Sequence, residues 1–428
     1  MLSSRGRNNA QLHKIPWRYA LARTYDKETN PSGMISFGLA EHAPMRAEIS
    51  NYINTKVEFN VASVAYGSGN DATARLQKAV AAHLDDILKP IAPIDPENLI
   101  VASGATAIGS MLGFALAEPG DGILASRPVY GRFELDYGVE AGVQMVYADT
   151  MTEEAFAPSV VEKYEMALED AKARGVRIPA LLLVNPHNPV GRCYSVETLT
   201  AILKFCDKHQ LHIISDEVYA SCVFDTGDPS AVPFTSILSL STPELINPDL
   251  VHLLWGFSKD FASGGLHLGF LISQNASLRQ SCKAILRLHN ASSAAITIGT
   301  AILEDRTFVH AFTAKSQKAL ASTYRIATST LDREGIKYIK GGNAGFFIYI
   351  DLSPYLPSPA PAPSSEHKHS PSAAEFALAQ NFVDAGVFLH PCEEHGMIPG
   401  WFRLVFAQEE DVLIEGLRRM IGVLRSLK

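Results

Sequence analysis

Short apolar segments alternate with longer amphipathic ones through the middle of the chain. The apolar segments have the length of strands and cover residues 98–102, 122–125, 144–148, 180–185, 212–216, 252–257 and 268–272. Around them, apolar residues recur about every 3.6 positions, the period of a helix, over residues 71–89, 160–174 and 195–209. Near-continuous apolar strands separated by helices are typical of a mostly parallel sheet covered on both faces. The pattern therefore predicts an α/β fold with a seven-stranded, mostly parallel sheet.

The two ends of the chain depart from this pattern and predict a smaller α+β domain beside the large one. Residues 1–55 are expected to form an N-terminal arm and part of the small domain, with a short strand that ends at Glu41. Residues 56–310 are expected to form the large domain, and residues 311–428 the rest of the small one. A helical pattern over about 311–334 connects the two.

Two features of the C-terminal part predict little chemistry. Residues 354–371 are rich in Pro, Ser and Ala, which is typical of a surface insertion. His390, Cys392 and His395 have a spacing that would suit a metal ion, but they lie just upstream of a strand pattern. Packing in a loop or a pocket wall is the simpler interpretation, and we expect no metal site.

Composition and charge exclude several classes of partner. Of the 428 residues, 47% are hydrophobic and 19% are charged, and the net charge is −8 with no block of like charge. This balance argues against nucleic acid or an anionic membrane as the main partner, and no apolar run approaches membrane-spanning length. The five cysteines are odd in number and show no close pairing, which is typical of free thiols in a reducing cytoplasm.

The ends of the predicted strands matter most, because ligands of parallel sheets bind outside the carboxyl ends of the strands. After the first strand, small residues that include Ala105 and Thr106 open a helix. Free N–H groups at such a helix start, with the threonine hydroxyl, would suit a phosphate, although a plain strand-to-helix turn has the same sequence. At the next junction, Tyr130 would either stack on a planar ligand or join the core.

The later strand ends are more specific. The turn Asn-Pro-His-Asn-Pro at 185–189 is rigid and aims the amide of Asn188 at a ligand. Asp216 closes the next apolar strand, where an unpaired buried carboxylate would be costly, so it needs a partner such as a protonated heteroaromatic nitrogen. Lys259 closes the strand after that, and partial burial there would make a neutral amine available for Schiff-base chemistry.

Together these groups match the needs of pyridoxal phosphate. A lysine holds this cofactor as an imine, and a carboxylate keeps the ring nitrogen protonated so that the ring acts as an electron sink. Asparagine and tyrosine donors stabilise the phenolate oxygen of the ring, and Tyr219 follows Asp216 by three residues. The sequence therefore predicts pyridoxal phosphate as cofactor, bound at the carboxyl ends of the strands.

Four motifs resemble those of the fold-type I class I aminotransferases. They are Asn-Pro-His-Asn-Pro-Val-Gly at 185–191, Asp-Glu-Val-Tyr at 216–219, Ser-Lys-Asp at 258–260 and Pro-Gly-Trp-Phe-Arg at 399–403. Within that family they look most like the 1-aminocyclopropane-1-carboxylate (ACC) synthase branch, and the resemblance runs from about residue 30 to about residue 407. It implies the fold of a pyridoxal-phosphate-dependent transferase, an α-amino acid as substrate, and a homodimer with shared active sites.

The resemblance also implies catalytic and cofactor-binding roles. Lys259 would hold the cofactor and later move the proton at Cα, and Asp216 would pair with the pyridinium. Tyr219 and Asn188 would contact the ring oxygen. The remaining cofactor contacts would be one stacking ring and three phosphate ligands, namely Tyr130, and Ala105, Thr106 and Ser258.

Substrate and subunit contacts follow from the same resemblance. Arg403 would take the α-carboxylate of the substrate with Asn188 nearby, a two-bond contact in which lysine is a poor substitute for arginine. The segment Gly-Leu-Ala-Glu that ends at Glu41 resembles the part of ACC synthases that bears a substrate-side glutamate. Tyr66 resembles the tyrosine that family members lend to the cofactor of the neighbouring subunit.

The chain departs from the family pattern at several positions. The family carries an arginine eight residues after the lysine as a further phosphate ligand, and this chain has His267 there. Histidine is smaller and its charge depends on pH, so we expect the phosphate to be held more weakly at high pH. His42 and Ala43 replace the Asn and Gln that follow the glutamate in the synthases, and Gly256 replaces a serine. These changes leave the cofactor chemistry intact but make S-adenosylmethionine less certain as substrate.

The expected function is cleavage of a carbon–sulfur bond in an amino acid, either as in ACC synthases or as in cysteine-conjugate lyases. The resemblance implies that this reaction runs through an external aldimine and a Cα carbanion. Transamination between an amino acid and a 2-keto acid is the alternative. A catalytically silent interaction protein is disfavoured because Lys259, Asp216, Tyr219 and Arg403 are all present.

Overall fold

The computed structural model of the protein describes residues 1–12, 23–65, 71–150, 153–357, 373–391, 396 and 398–427. In chain order its strands are β1 (Ile35–Ser36), β2 (Leu99–Ala102), β3 (Gly122–Arg127), β4 (Gln144–Asp149), β5 (Ala180–Val184), β6 (His212–Asp216), β7 (Val251–Gly256), β8 (Gly269–Ser273), β9 (Lys337–Tyr338), β10 (Phe347–Asp351), β11 (Val387–Phe388) and β12 (Trp401–Val405). A seven-stranded sheet has the order β2-β8-β7-β6-β5-β3-β4. In this sheet β8 runs in the direction opposite to that of the other six strands. The predicted strands and the predicted mostly parallel sheet are confirmed.

Helices pack against this sheet and also occur in the other parts of the described chain. They are α1 (Ser4–Leu12), α2 (Arg46–Lys56), α3 (Asp71–Leu88), α4 (Ala105–Leu116), α5 (Phe133–Gly138), α6 (Val160–Ala173), α7 (Val196–His209), α8 (Phe257–Asp260), α9 (Ala276–Ile285), α10 (Ser293–Glu304), α11 (Arg306–Glu334), α12 (Ala373–Asp384) and α13 (Glu410–Ser426). The predicted helices at 71–89, 160–174 and 195–209 are α3, α6 and α7. No helix in the described part of the chain is long and apolar enough to cross a membrane.

Two smaller sheets lie near the ends of the chain. Strands β12, β10 and β9 form an antiparallel sheet, and β1 pairs in parallel with β11. The prediction of a strand that continues to Glu41 is wrong, because β1 ends at Ser36. After β1 two backbone carbonyl groups bind side chains. The carbonyl of Gly38 accepts a hydrogen bond from Arg403, and the carbonyl of Ala40 accepts one from Lys259.

One hydrophobic cluster joins the N-terminal segment to the C-terminal part. Ile35 and Phe37 pack with buried residues of α11, β10, α12, β12 and α13. Helix α11 itself begins at Arg306 and so passes through the predicted boundary at 310/311. The division into residues 1–55, 56–310 and 311–428 stays a prediction. Of the predicted insertion at 354–371, residues 358–371 lie outside the described part of the chain.

Candidate active site

The ends of β5, β6 and β7 open onto a cavity of about 790 Å³. This is the position that a parallel sheet offers to a ligand. The lining includes Ala105, Thr106, Tyr130, Asn188, Asp216, Tyr219, Ser258, Lys259, His267 and Arg403. The structure thus brings together ten of the twelve residues that the sequence assigned to one site.

One end of the cavity is built from backbone N–H groups and small residues. Helix α4 begins at Ala105 with Gly104 as its N-cap, in a left-handed conformation with φ +94° and without a side-chain cap. Gly269 packs directly behind this turn, where a Cβ would lie 2.6 Å from the carbonyl carbon of Gly104. The first N–H groups of a helix have no acceptor within the helix, so this end suits a phosphate. Ser258 and His267 line the same cavity.

Asp216 lies at the end of β6 and is buried. Burial raises the pKa of its carboxyl to about 6, while the N–H of Val218 and the charge of Lys259 oppose that rise. The N–H of Val218 donates to Oδ1 at 3.3 Å. A carboxylate held in this way suits a protonated ring nitrogen as its further partner.

Lys259 reaches the cavity from the short helix α8, which follows β7 directly. Its Nζ donates a hydrogen bond to the backbone carbonyl of Ala40 at 2.7 Å. Burial, and then the nearby charge of Arg403, lower the pKa of the amine to about 8. A neutral, nucleophilic amine is therefore accessible near neutral pH.

Tyr219 stands beside this lysine. Its ring is held edge-on by Phe346 and Phe347, each with a centroid 5.3 Å away. Nζ of Lys259 lies 5.9 Å from the centroid of the Tyr219 ring. Burial raises the pKa of the phenol well above its ordinary value, so the hydroxyl stays protonated and is a hydrogen-bond donor.

Arg403 lies on β12, lines the same cavity and is 3% exposed. Its Nη1 donates to Oδ1 of Asn188 at 3.0 Å, and its Nη2 donates to the carbonyl of Gly38 at 2.6 Å.

The two asparagines of the 185–189 turn differ in role. Asn188 lines the cavity, whereas Asn185 holds the turn through the backbone of Thr235 and Tyr194.

The two remaining predicted site residues are not among the described residues that line the cavity. The carboxylate of Glu41 pairs with Arg46. Tyr66 lies outside the described residues. Their substrate and subunit roles stay predictions.

Sequence reasoning missed other residues that line the cavity. Asp136 on α5 lines the cavity, and burial raises the pKa of its carboxyl to about 7, a rise that the Thr106 hydroxyl opposes. The signal for it was the spacing of Phe133, Asp136 and Tyr137, which places all three on one helix face. His390 also lines the cavity, so the interpretation of this residue as pocket wall is confirmed.

No group of three or more His, Cys, Asp or Glu side chains suited to a metal ion occurs within the described ranges. Cys392 and His395 lie outside them. The donors that are present fit pyridoxal phosphate instead: an anion cradle at α4, a buried carboxylate at Asp216, and an amine of lowered pKa at Lys259. The fold and the site therefore define a pyridoxal-phosphate-dependent protein of fold-type I.

Comparison with known proteins gives the family. Residues 38–421 match the family described as aminotransferase class I and II, and the chain belongs to that family. Members of the family depend on pyridoxal phosphate, so the predicted cofactor is confirmed. The predicted ACC synthase-like branch is also confirmed by curated relatives.

The human 1-aminocyclopropane-1-carboxylate synthase-like protein 1 is 31% identical over 447 aligned residues, which cover 99% of this chain and 83% of that protein. The 1-aminocyclopropane-1-carboxylate synthase 2 of Solanum lycopersicum is 29% identical and covers 93% of this chain and 82% of its own length. Among solved structures, the aromatic aminotransferase of Pyrococcus horikoshii superimposes with a TM-score of 0.73 at 21% identity, covering 98% of this chain and 100% of that one. This likeness confirms the fold.

Proposed function

We propose that this protein uses pyridoxal phosphate to cleave a carbon–sulfur bond of an α-amino acid. The observation that carries the proposal is the relation of Lys259 to Arg403, because both side chains line one cavity and both bind the backbone of residues 38–40. The amine of Lys259 is suited to remove the Cα proton of an amino acid, and the guanidinium of Arg403 is suited to bind its carboxylate. A single small molecule in the cavity would therefore contact both groups.

Arg403 binds and orients the substrate. A guanidinium has five N–H groups in a fixed fork, and Asn188 and Gly38 each accept from one arm of the fork. A carboxylate that approaches the fork gains charge-assisted hydrogen bonds with defined direction. Because the guanidinium is already oriented by two acceptors, little conformational freedom is lost when the substrate binds.

Lys259 moves the proton at Cα. Its pKa of about 8 leaves part of the population neutral at neutral pH and makes the amine a base of suitable strength. When bound, the cofactor supplies a conjugated ring that accepts the electron pair left at Cα. Asp216 holds the proton of the ring nitrogen, and the Tyr219 hydroxyl donates toward the ring oxygen.

The choice of carbon–sulfur cleavage is supported by a relative named as an ACC synthase and by another named as an ACC synthase-like protein. Removal of the Cα proton lets a sulfur group depart from Cγ, as in S-adenosylmethionine, or from Cβ, as in a cysteine conjugate. Glu41 pairs with Arg46 and is not among the described residues that line the cavity. Because the expected substrate-side glutamate is engaged in this ion pair, a cysteine conjugate is favoured over S-adenosylmethionine.

Two competing functions are separated from this one by chemistry. Transamination needs the same Lys259 and Arg403 but leaves the carbon–sulfur bond intact. A silent interaction protein is suggested by one mouse relative, 30% identical, that is named as a probable inactive synthase-like protein. It is disfavoured here because Lys259, Asp216, Tyr219 and Arg403 all line one cavity.

We also infer that two copies associate with their cavities at the interface. Phe59, Val61 and Val64 are exposed apolar residues just before Tyr66, and Leu288 is exposed beside the cavity-lining His289. Ser293 donates to the carbonyl of Ala65 at 2.6 Å, which ties the first segment to α10. Clusters of exposed apolar residues mark association surfaces.

A cytoplasmic location stays a prediction. The described cysteines Cys193, Cys206, Cys222 and Cys282 are buried free thiols.

The function is tested by incubating the purified protein with cofactor and three kinds of substrate, followed by mass analysis of the products. The substrates are S-adenosylmethionine, a set of cysteine conjugates, and an amino acid with a 2-keto acid. Pyruvate and ammonia indicate elimination, and ACC indicates the synthase reaction. A new amino acid without carbon–sulfur cleavage would indicate an aminotransferase.

A further inference from the structure

The residue after Lys259 is a buried carboxylate that joins separate parts of the site. Asp260 is 2% exposed and ends helix α8. The N–H of Ser221 donates to both carboxylate oxygens at 3.2 Å. The thiol of Cys222 donates to Oδ1 at 3.2 Å, and Nε1 of Trp255 donates to Oδ2 at 2.8 Å.

The donors come from two segments that carry catalytic groups. Ser221 and Cys222 follow Tyr219 in the turn after β6, whereas Trp255 lies on β7, which leads into α8. The carboxylate of Asp260 thus fixes the Lys259 helix to the Tyr219 turn and to its own strand. Trp255 in turn is packed against the rings of Phe257, Phe261 and Phe270, which makes it a rigid anchor.

Asp260 does not act on a ligand itself, because it is not among the described residues that line the cavity. A buried carboxylate is costly unless it is well hydrogen-bonded. Burial raises the pKa of this carboxyl to about 6, and its hydrogen bonds from Trp255, Cys222 and Ser221 oppose the rise. What the carboxylate provides at this cost is a fixed geometry between two chain segments.

We propose that Asp260 is a positioning residue for proton transfer at Cα, because it fixes the position of Lys259 relative to Tyr219. The atom whose position matters is Nζ of Lys259, which lies 5.9 Å from the Tyr219 ring centroid and 2.7 Å from the carbonyl oxygen of Ala40. The inference rests on the proposed function in one respect, namely that Lys259 moves the Cα proton. It does not depend on which bond breaks afterwards.

Exchange of the Cα proton with deuterium from solvent tests this role, because lyases, synthases and aminotransferases share that step. The cofactor-loaded protein is incubated in D₂O with a panel of amino acids that includes S-adenosylmethionine and cysteine conjugates, and exchange per bound cofactor is followed by mass. Asparagine in place of Asp260 keeps the shape but has one acceptor oxygen, so its NH₂ group must face a donor. Asp260→Asn is expected to slow exchange about tenfold to a hundredfold.

The amino-acid concentration at half-maximal exchange should change less than about twofold in this variant, because Arg403 takes no part in the network. Trp255→Phe removes one donor and keeps an aromatic ring, so we expect a smaller loss of the same kind. Asp305→Asn is the matched control, since Asp305 accepts from Phe308 N–H and the Tyr52 hydroxyl far along the chain from Lys259. The control should alter thermal stability alone.

Lowered thermal stability with unchanged exchange per bound cofactor, in Asp260→Asn and Trp255→Phe alike, would overturn the positioning role. If Asp260→Asn does not fold, Trp255→Phe decides the question by itself. Exchange in the unmodified protein without carbon–sulfur cleavage would refute the proposed function and leave this inference standing. A lack of exchange with every amino acid would refute both.

Discussion

Nζ of Lys259 donates a hydrogen bond to the backbone carbonyl of Ala40 at 2.7 Å. Two residues earlier in the same segment, the carbonyl of Gly38 accepts from Nη2 of Arg403 at 2.6 Å. A three-residue piece of backbone therefore orients the base and the carboxylate-binding group of the proposed reaction. A substrate that reaches both groups must lie beside this segment.

Replacement of Lys259 by alanine should abolish the aldimine absorbance of the bound cofactor and lower the turnover rate by about a thousandfold or more, because the base and the covalent anchor are lost together. Absorbance spectra and product formation measure the two effects. Lys283→Ala, which removes an exposed lysine of α9, is the control and should behave like the unmodified protein. Retained absorbance in Lys259→Ala would mean that another amine holds the cofactor.

Arg403→Lys should raise KM for the amino acid about tenfold to a hundredfold with a smaller change in kcat, because lysine cannot reproduce a two-bond contact with a carboxylate. Steady-state kinetics on the cofactor-loaded variant give both constants. Arg418→Lys alters an exposed arginine of α13 that pairs with Glu415 and is the matched control. An unchanged KM would place the carboxylate of the substrate elsewhere.

His267→Arg should tighten cofactor binding. Arginine is larger than histidine and keeps its charge at every accessible pH, so the variant holds a permanent cation with several N–H donors beside the phosphate. Titration of the stripped protein with pyridoxal phosphate at pH values on both sides of neutrality gives the dissociation constants. Equal affinities at every pH, with and without the substitution, would show that His267 merely packs against the α4 turn.

The stability of the protein should fall in acid partly because of His187. Burial, and then the charge of Arg192, lower the pKa of this imidazole from 6.5 to about 3. In the unfolded chain this imidazole binds a proton below about pH 6.5, whereas in the folded protein it does so only near pH 3. The free energy of unfolding therefore falls as the pH drops through that range.

At pH 5 the loss from this one group amounts to about 2 kcal/mol of unfolding free energy. His187→Leu removes the titrating group, so the variant should lose about 2 kcal/mol less than the unmodified protein between pH 7 and pH 5. Urea unfolding at the two pH values measures the difference. Parallel losses in both proteins would mean that His187 titrates normally.

Val64→Asp should weaken the proposed dimer, because a carboxylate replaces an apolar side chain that is 82% exposed in the single chain. Light scattering during size-exclusion chromatography gives the mass in solution. Met166→Asp places the same charge on an exposed position of α6 and should leave the mass unchanged. A monomeric unmodified protein with full activity would contradict shared active sites.

The strand ends were predictable from sequence because each apolar segment stops where a polar residue begins. Asp216 and Lys259 close β6 and the β7–α8 junction within a residue or two of their expected places. In a parallel sheet those ends meet at one edge, so the sequence also predicts that the residues lie together. The site residues carried by strand ends were found for this reason.

The remaining contacts depend on distant parts of the chain and left no local signal. The carbonyl of Ala40 meets Lys259 across 219 positions, and any residue type offers a carbonyl. Glu41 belongs to a family motif, yet its side chain pairs with Arg46. The spacing of residues in the sequence does not predict which nearby group a carboxylate will contact. The sequence shows Asp260 only as part of the Ser-Lys-Asp motif, since its hydrogen-bond partners come from two other segments.

The proposed function is tested most directly by following one carbon–sulfur bond. The cofactor-loaded protein is incubated with a cysteine conjugate that carries deuterium at Cα, and Lys259→Ala is treated in the same way. We predict release of the thiol together with pyruvate and ammonia, with the deuterium lost to solvent, and no release in the variant. A keto acid that still carries its sulfur substituent would contradict carbon–sulfur cleavage and identify an aminotransferase.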